Sequence, residues 1–323
     1  MSVTLRHRLE YLLYRAVEAG VRLLGWTGAQ RLGRLLGRGY HLLDGRHRRV
    51  VRENLRAADL GLSEAQVRAL ARDCFAHFGA MALTTLRLLH GSPQELEARV
   101  RFEGLEHWDA ALAEGRGFIG LTGHYGNWEA MALALSLRER PLAVIGRELD
   151  NPLLEPHLRA LRGRYGNRVV PKRGAMRDAL KLLRAGQGVG FLLDQDARRH
   201  GVFARFLGRW ASVHPTAAQL AVKYDLPVVP IFSFPEGAGV GVRIAPAFRV
   251  PRTGDAEKDV WVATQLMTWC IEARIRQEPR CWFWMHRRWK TQPGRPKAPA
   301  LPPEDWQAAA AEAWAGLGMD QAP

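Results

Sequence analysis

The sequence is short of cysteine and of long apolar runs. Cys74, Cys270 and Cys281 are its only cysteines, and their wide spacing fits neither a disulfide framework nor a metal-ligand pattern. No uninterrupted apolar run reaches the roughly 18 residues of a membrane-spanning helix, and the N-terminus lacks the features of a signal peptide. We therefore expect a protein of a reducing compartment, in the cytosol or on the cytosolic face of a membrane.

Lysine is also scarce, although the chain is strongly basic. Of 323 residues, 47 are Lys or Arg and 32 are Asp or Glu, a formal net charge of +15 that arginine carries almost alone. The guanidinium fork suits phosphate better than an ammonium does. This excess predicts a polyanionic partner: nucleic acid, an anionic membrane surface, a phosphorylated lipid or an acidic carrier protein. Genome composition is an alternative source of part of it.

The first part of the chain reads as nearly all helix, over 4–24, 30–43 and 63–89, with a basic run at 46–52. In 4–24 the apolar residues share one broad face and the arginines lie opposite, a pattern typical of a helix in the membrane interface. Docking of this face on the protein's own core is the alternative. Trp26 suits an interfacial anchor.

From about residue 99, strands and helices alternate, which predicts an α/β fold with a central mixed sheet flanked by helices. We divide the chain into a helical membrane-interacting region (1–98), an α/β catalytic region (99–295) and a Pro/Ala-rich tail (296–323), whose residues 306–317 are a candidate surface helix. The predicted strands are Val100–Phe102, Phe118–Leu121, Leu142–Ile145, Arg168–Val170, Val189–Leu193, Val202–Phe206, Val228–Phe232 and Val240–Ile244.

A histidine and a carboxylate stand five positions apart just after one of these strands. His124 follows the run 118–122, Asn127 is placed to cap the next helix, and Glu129 lies in its first turn. Open α/β sheets bind ligands at the carboxyl ends of strands, where a carboxylate can fix the imidazole tautomer and leave the other nitrogen as a base. No Ser or Cys adjoins the pair, so we interpret it as activating a substrate hydroxyl. A capping carboxylate beside a structural histidine is the alternative.

Polar residues follow two further predicted strands. Arg147 would point into the same crevice as His124, to bind phosphate or an oxyanion, or else to pair with a neighbouring carboxylate. Asp194-Gln195-Asp196 ends the run 189–193, and two aspartates without clustered ligands make a poor metal site. We expect them to orient nearby arginines or substrate hydroxyls.

Two apolar or aromatic segments complete the set of motifs. Gly201 to Gly208 is a glycine-bounded strand that would line an acyl-chain groove or belong to the core. Trp282 to Lys290 mixes aromatic and basic residues, which suits single-stranded nucleic acid, a membrane interface or a phosphorylated glycolipid. No recognisable nucleic-acid motif accompanies it.

Taken in order, these segments resemble one family. Gly123 to Glu129 resembles the His-x4-acid motif of lysophospholipid acyltransferases, and the chain is more similar still to the lipid A late (lauroyl and myristoyl) acyltransferases. The resemblance spans roughly residues 5 to 293, and the ordered set is far more specific than any one motif. Five further blocks match: Arg52-Glu53-Asn54-Leu55; Arg147 with Asn151-Pro152; Asp194-Gln195-Asp196; Gly201-Val202-Phe203 with Phe206 and Gly208; and Trp284 to Thr291.

The resemblance implies a glycerolipid acyltransferase-like fold and a membrane-associated enzyme at the cytoplasmic face of the inner membrane. His124 would deprotonate an acceptor hydroxyl, Glu129 would orient and charge-stabilise the imidazole, and the alkoxide would attack an acyl thioester, usually of acyl carrier protein, possibly of CoA. No other cofactor and no nucleic acid is implied, and the acceptor is an anionic glycolipid. The substrate-contact residues carried over are Asn127, Arg147, Asp194, Gln195, Gly201, Phe203 and Arg287.

The chain also departs from the family pattern. Arg56 to Leu60 replaces the usual Phe-Pro after the Asn-Leu block, and His214 interrupts the small-residue run after the glycine-bounded strand. Both differences touch the acceptor side. Relatives with the same motif acylate phosphatidylinositol mannosides, other glycolipids or lysolipids, so the acceptor stays open between these and a lipid A precursor.

Overall fold

A seven-stranded mixed sheet forms the centre of the computed structural model, which describes residues 3–146, 149–171 and 174–318. The strands within these residues are β1 (Val100–Glu103), β2 (Phe118–Thr122), β3 (Ala143–Gly146), β4 (Arg168–Pro171), β5 (Gly188–Leu192), β6 (Val202–Phe206), β7 (Arg209–Val213), β8 (Val228–Glu236) and β9 (Gly239–Ile244). Their order in the sheet is β1-β9-β8-β2-β5-β3-β4. All neighbours are parallel except β8 and β9, and β6 and β7 form a separate antiparallel hairpin.

Helices flank this sheet, as the sequence predicts. They are α1 (Leu5–Leu23), α2 (Trp26–Leu43), α3 (Gly45–Ala57), α4 (Glu64–His90), α5 (Pro93–Arg99), α6 (Leu105–Ala113), α7 (Trp128–Leu137), α8 (Leu154–Arg162), α9 (Ala175–Arg184), α10 (Thr216–Tyr224), α11 (Ala256–Gln277) and α12 (Glu304–Gly316). The basic run at 46–52 is part of α3, which buries Val50, Val51 and Leu55 on its other face. Each of the eight predicted strands is present, and β7 is the strand that the prediction lacks.

The N-terminal helices and the sheet share one hydrophobic core. Val51 and Leu55 of α3 and Phe75 of α4 belong to the same buried cluster as Leu121 of β2 and Phe191 of β5. The C-terminal helix α12 joins this cluster as well, because Trp314 is buried against Trp269 of α11 with their ring centroids 5.6 Å apart. The helical region, the α/β region and the C-terminal tail that the sequence predicts therefore pack on one another.

Helix α1 docks through its polar face. Glu18 is 2% exposed, and its Oε1 lies 2.6 Å from His90 Nε2 on α4 and 2.8 Å from His157 Nε2 on α8. Its Oε2 pairs with Arg15 Nε at 2.8 Å. Asn151, just before α8, donates from Nδ2 to the His7 carbonyl at 3.0 Å. These contacts are directional, so they fix which side of α1 faces the protein.

The apolar faces of α1 and α2 consequently point outward. We call this exposed surface the leucine platform: Leu5, Leu9, Leu12, Leu13, Val17, Leu32, Leu35, Leu36, Leu42 and Leu43. Its residues are between 38% and 88% exposed, the reverse of docking on the protein's own core. Trp26 differs from the prediction of an interfacial anchor, because it is buried and donates its indole N–H to the Ala238 carbonyl.

No helix among the described residues combines the length and apolarity needed to cross a bilayer. The cysteines are buried thiols, on α4, on α11 and in the short 3-10 helix Pro279–Cys281.

We expect Glu18→Ala to destabilise the fold by about 3 kcal/mol, because it leaves two partly exposed histidines and Arg15 without their carboxylate. Burial raises the pKa of Glu18, but hydrogen bonds from His157 and His90 outweigh it and hold the pKa below its ordinary value. The contribution of Glu18 is then fully present above its unfolded-state pKa and is lost as the pH falls through the folded-state value. Chemical unfolding of the wild type and of Glu18→Ala, at pH values above and below the pKa of Glu18, measures the difference in free energy of unfolding. A difference that does not change with pH would contradict the assignment to the Glu18 carboxylate.

Candidate active site

The candidate active site lies at the carboxyl ends of two neighbouring parallel strands. His124 follows β2 and Asp194 follows β5, and in the register of these strands Thr122 is paired with Leu192. Two residues that are 70 positions apart in sequence therefore reach the same edge of the sheet. This is the position where open α/β sheets place ligands.

Asp194 is the carboxylate that holds His124 in the structure. Its Oδ1 lies 2.8 Å from His124 Nδ1, while Oδ2 accepts from the His124 backbone N–H at 2.6 Å and from Trp282 Nε1 at 2.8 Å. The Asp194 side chain is fully buried and that of His124 is 21% exposed. The carboxylate thus lies beneath the imidazole, which keeps its other edge towards solvent.

The charge state of Asp194 follows from these donors. Burial by itself would raise the pKa of Asp194, but the charge and hydrogen bond of His124, with smaller effects of His286 and Trp282, hold it below its ordinary value. An ionised Asp194 retains the proton on His124 Nδ1, so the lone pair is on Nε2. Gln195 Nε2 lies 3.4 Å from that atom.

Glu129 has a different partner. It lies in the first turn of α7, as predicted, and forms a two-pronged ion pair with Arg162 of α8, at 2.5 Å and 2.9 Å. The hydrogen bond to Nδ1 comes from Asp194, and a catalytic role of Glu129 stays a prediction. The reason is topological, since β5 brings Asp194 directly beside β2, whereas Glu129 lies a helical turn beyond the loop.

The loop between β2 and α7 is fixed by backbone contacts. Gly126 has φ +61°, and a Cβ there would lie 2.1 Å from the Ser233 carbonyl oxygen, so this position requires glycine. Its N–H donates to the Cys281 carbonyl at 2.8 Å. Asn127 caps α7 as predicted, because its Oδ1 accepts from the Ala130 N–H at 3.0 Å and from the Thr85 hydroxyl at 2.9 Å. These contacts leave His124 little freedom of position.

A largely apolar cavity of about 340 Å³ opens beside His124. Glu129, Arg162 and Gln195 supply polar groups of its wall, and Trp128 stands edge-on to the imidazole with ring centroids 5.1 Å apart. The apolar wall continues along α7, β3 and β4, through Met131, Ala132, Leu133, Leu142, Val144, Ile145 and Val169. One base at the end of an apolar cavity suits a substrate with a polar reacting end and a hydrocarbon chain.

Comparison with known proteins agrees with this geometry. The family model described as "Bacterial lipid A biosynthesis acyltransferase" matches residues 2–291. The chain belongs to this acyltransferase family.

Individual relatives of the acyltransferase differ in the acceptor that their names state. A phosphatidylinositol mannoside acyltransferase of Mycobacterium tuberculosis is 27% identical over 190 residues, 58% of each chain. The lipid A biosynthesis myristoyltransferase of Escherichia coli is 25% identical over 263 residues, 81% of this chain and 79% of the relative. The corresponding lauroyltransferase is 26% identical over 258 residues, 77% and 80%. The chain thus spans under two thirds of the mycobacterial relative's length.

Asn54 and Asn151 of the acyltransferase, which belong to the sequence blocks shared with the family, have structural roles. Asn54 is buried and donates from Nδ2 to the carbonyls of Trp284, at 2.8 Å, and His286, at 2.7 Å. This ties α3 to the segment that carries Trp282 under Asp194. Asn151 ties α8 to α1 in the same way. The sequence gives neither asparagine a role, and the structure supplies one: each is buried and donates two hydrogen bonds to a distant segment, Asn54 to two carbonyls and Asn151 to the His7 carbonyl and the Glu10 carboxylate.

The aromatic segment Trp282 to Lys290 supports the site from below. Trp282 and Trp284 are fully buried, and so is Arg288, which donates from Nη1 to the Ser212 carbonyl at 2.8 Å. His286 Nε2 lies 2.9 Å from the Asp194 carbonyl oxygen. The indoles of Trp282 and Trp284 are therefore not exposed for stacking on bases. In the sequence, the only sign that this segment supports the site is its high content of aromatic residues.

The remaining predicted substrate contacts lie elsewhere. Phe203 is fully buried in β6, and its carbonyl accepts from Trp261 Nε1 at 2.8 Å. Neither Gly201 nor Phe203 lines the cavity at His124, and Arg287 is exposed on the aromatic segment. Arg147 lies outside the described residues. The substrate roles of these residues stay predictions, as do those of Asn127, Asp194 and Gln195.

One cluster among the described residues has the composition of a metal site. Glu18, His90 and His157 each offer one ligand atom, all within 4.8 Å of one another. It lies between α1, α4 and α8 rather than beside His124, and both imidazoles are hydrogen-bonded to Oε1 of Glu18.

We expect Asp194→Asn to lower turnover by about 10³–10⁴-fold, because an amide of the same shape no longer fixes the Nδ1–H tautomer. Steady-state kinetics of acyl transfer, with the thermal midpoint measured in parallel, separates this effect from misfolding. Asp259→Asn on α11 is the matched control, since Asp259 is also a buried carboxylate but its Oδ1 accepts from the Thr253 backbone N–H at 2.7 Å and not from His124. Equal turnover in the wild type and Asp194→Asn would contradict the assignment.

Proposed function

We propose that the protein transfers a fatty acyl chain from an acyl thioester to a hydroxyl of a lipid A-type glycolipid at the cytosolic face of the membrane. The observation that carries this is the exposed edge of His124, oriented by buried Asp194, at the end of an apolar cavity. Membership of the lipid A acyltransferase family supports the reaction class.

The reaction needs one base and no protein nucleophile. Nε2 of His124 takes the proton from the acceptor hydroxyl, whose oxygen attacks the thioester carbonyl carbon. Collapse of the tetrahedral intermediate breaks the carbon–sulfur bond, and the leaving thiolate takes the proton from the imidazolium. The ester is formed and the base is restored without an acyl-enzyme.

The two carboxylates have separate roles in this proposal. Asp194 orients the ring and stabilises the imidazolium through a direct hydrogen bond at 2.8 Å. Glu129 lines the same cavity and adds negative charge near the base, while its ion pair with Arg162 fixes it to α8. This keeps the charge-stabilising part of the role that sequence resemblance assigns to Glu129.

The leucine platform is the proposed membrane-contacting surface. Outward-facing leucines on two consecutive helices, with exposed arginines such as Arg8 and Arg22 on the polar side of α1, match a helix pair that lies in the interface. An acceptor that stays in the bilayer would then reach His124 without leaving it. The +15 formal charge favours both anionic lipid and an acidic acyl carrier protein as donor. CoA is the alternative donor.

A second candidate acceptor is a phosphatidylinositol mannoside. The observation in its favour is that relatives with this name match at 27% identity, slightly above the Escherichia coli lipid A enzymes. The base and the cavity serve either acceptor.

The test of function is mass spectrometry of acyl transfer from lauroyl- or myristoyl-acyl carrier protein to a lipid A precursor in detergent. We expect a product heavier by one acyl group, and a loss of at least about 10²–10⁴-fold in His124→Ala, because general-base assistance contributes that much. His107→Ala, on α6, is the matched control. Unimpaired transfer by His124→Ala would rule out His124 as the base. Phosphatidylinositol mannoside is offered as acceptor in a parallel reaction, and product from it alone would make it the acceptor.

Filling the cavity should change the acyl preference. Ala132 lines the cavity on α7, and Ala132→Phe is expected to shift the preferred donor to shorter chains, because the ring takes space that the end of a long chain needs. Competition between donors of different length measures the ratio of kcat/KM values. Ala110→Phe, at an exposed position of α6, should leave the ratio unchanged. An unaltered ratio in Ala132→Phe would mean that the acyl chain binds elsewhere.

Charges in the leucine platform should release the protein from membranes. The double variant Leu12→Glu/Leu35→Glu is expected to lose co-sedimentation with lipid vesicles, because both side chains point outward and charged groups do not enter the acyl boundary. Gln94→Glu/Ala110→Glu changes the net charge equally at exposed positions away from the platform. Membrane binding that persists in the first variant and equals that of the control would contradict the platform.

A further inference from the structure

A second cavity, of about 310 Å³, lies between α2, α4 and the turn that joins β8 to β9. Asn127 of the loop between β2 and α7 forms part of its wall, whereas His124 and Glu129 line the first cavity. It is therefore a separate space that meets the other face of the same loop. Neither the proposed reaction nor the acyl cavity uses it.

Its wall is strongly basic. Arg34 and Arg38 stand one turn apart on α2, Arg280 enters from the 3-10 helix, and Asp73 is the only acid of the described lining. Asp73 has its own counter-ion in Arg72, at 3.9 Å. Among the described residues no carboxylate lies within ion-pair distance of Arg34 or Arg38, so two guanidinium groups face the cavity side by side without neutralisation. This arrangement attracts a compact anion.

A buried, unsatisfied nitrogen lies in the same wall. His77 Nε2 is buried and has no hydrogen-bond partner among the described residues. Burial, with the charges of Arg280 and Arg34, lowers the pKa of His77 to about 4, against the raising effect of a hydrogen bond with the Gly126 backbone. A buried polar atom without a partner is costly, and an anion with a hydroxyl proton, or one that brings a proton to the ring, would satisfy it.

The helix packing holds these groups together. The backbones of α2 and α4 touch, because a Cβ on Gly37 would lie 2.1 Å from the Phe75 carbonyl oxygen. Arg34 and Arg38 on one helix and His77 on the other are consequently presented to the same space. The helix packing fixes the backbone positions from which these groups extend, while the side chains of Arg34, Arg38 and Arg280 are exposed to solvent.

The second cavity lies beside the leucine platform. At 100° per residue around α2, Arg34 and Arg38 lie between the buried face of Gly33 and Gly37 and the exposed face of Leu35 and Leu42. An anion bound there would lie just beside the apolar surface, at the depth where a bilayer places its headgroups.

We propose that this second cavity binds the phosphate group of an anionic membrane lipid, through Arg34, Arg38 and Arg280 and through Nε2 of His77. The inference goes beyond the proposed reaction, since binding requires no acyl transfer. It is tested without measuring turnover, and its failure leaves the catalytic proposal intact.

The first experiment compares binding of the 323-residue chain to vesicles of phosphatidylcholine alone and of phosphatidylcholine mixed with phosphatidic acid, whose monoester phosphate carries a hydroxyl proton. We expect Arg34→Gln/Arg38→Gln to lose more than about tenfold in affinity for the anionic vesicles, because two charge-assisted contacts are removed. Arg31→Gln/Arg46→Gln removes the same charge at exposed positions outside the cavity and should lose far less. Equal losses of affinity in the two double variants would mean that only the net charge matters, and would overturn the proposed binding site.

The second experiment locates the ligand. The ring nitrogens of His77 are followed by NMR while inorganic phosphate, a short-chain phosphatidic acid or the phosphodiester of holo-acyl carrier protein is added. We expect phosphatidic acid to shift the His77 signals and to raise its pKa from about 4, against the lowering effect of Arg34 on α2 and Arg280 in the 3-10 helix. Arg38 on α2 and Asp73 on α4 also line the cavity. Unshifted His77 signals would overturn the site. A response to free phosphate or to the carrier, and none to lipid, would overturn the lipid assignment.

Discussion

The site depends on one buried carboxylate. Asp194 has no exposed surface, and each of its side-chain oxygens is engaged by donors from His124 and Trp282. Removing a charge from water is costly unless such donors replace the water, so the imidazole, the backbone N–H and the indole stabilise the anion together. The same bonds fix the loop after β2 and the C-terminal aromatic segment. A single ionised group thus sets the tautomer of the base and joins three parts of the chain around it.

The outer helices repeat this use of polar contacts for position. Glu18, His90 and His157 orient α1, and Asn54 and Asn151 tie helices to segments far away in sequence. Hydrophobic contacts alone would favour the opposite orientation of α1, with its leucines inward. Specific polar bonds on the inner face of α1 therefore determine that its apolar surface faces outward.

Much of the fold follows from the sequence, because apolar runs bounded by glycine and helical periodicity are local signals. The eight predicted strands and the capping role of Asn127 are examples. The partner of His124 was beyond such reasoning. Asp194 lies 70 residues away, and only the order of strands, with β5 beside β2, places it there. Glu129 is near in sequence and shares the cavity, yet its ion pair with Arg162 depends on how α8 packs, which no local pattern reports. Burial of Trp26 and Trp282 likewise reflects tertiary packing.

In its proposed membrane-contacting role, the leucine platform would make the bilayer a thermodynamic partner of the folded chain. Lipid that binds the native state but not the unfolded chain stabilises the fold by mass action, so the free energy of unfolding depends on lipid concentration. In water without lipid or detergent, an exposed apolar surface of this kind favours self-association. The midpoint of unfolding and the oligomeric state are therefore joint properties of the protein and its amphiphile, and values measured in different detergents describe different equilibria.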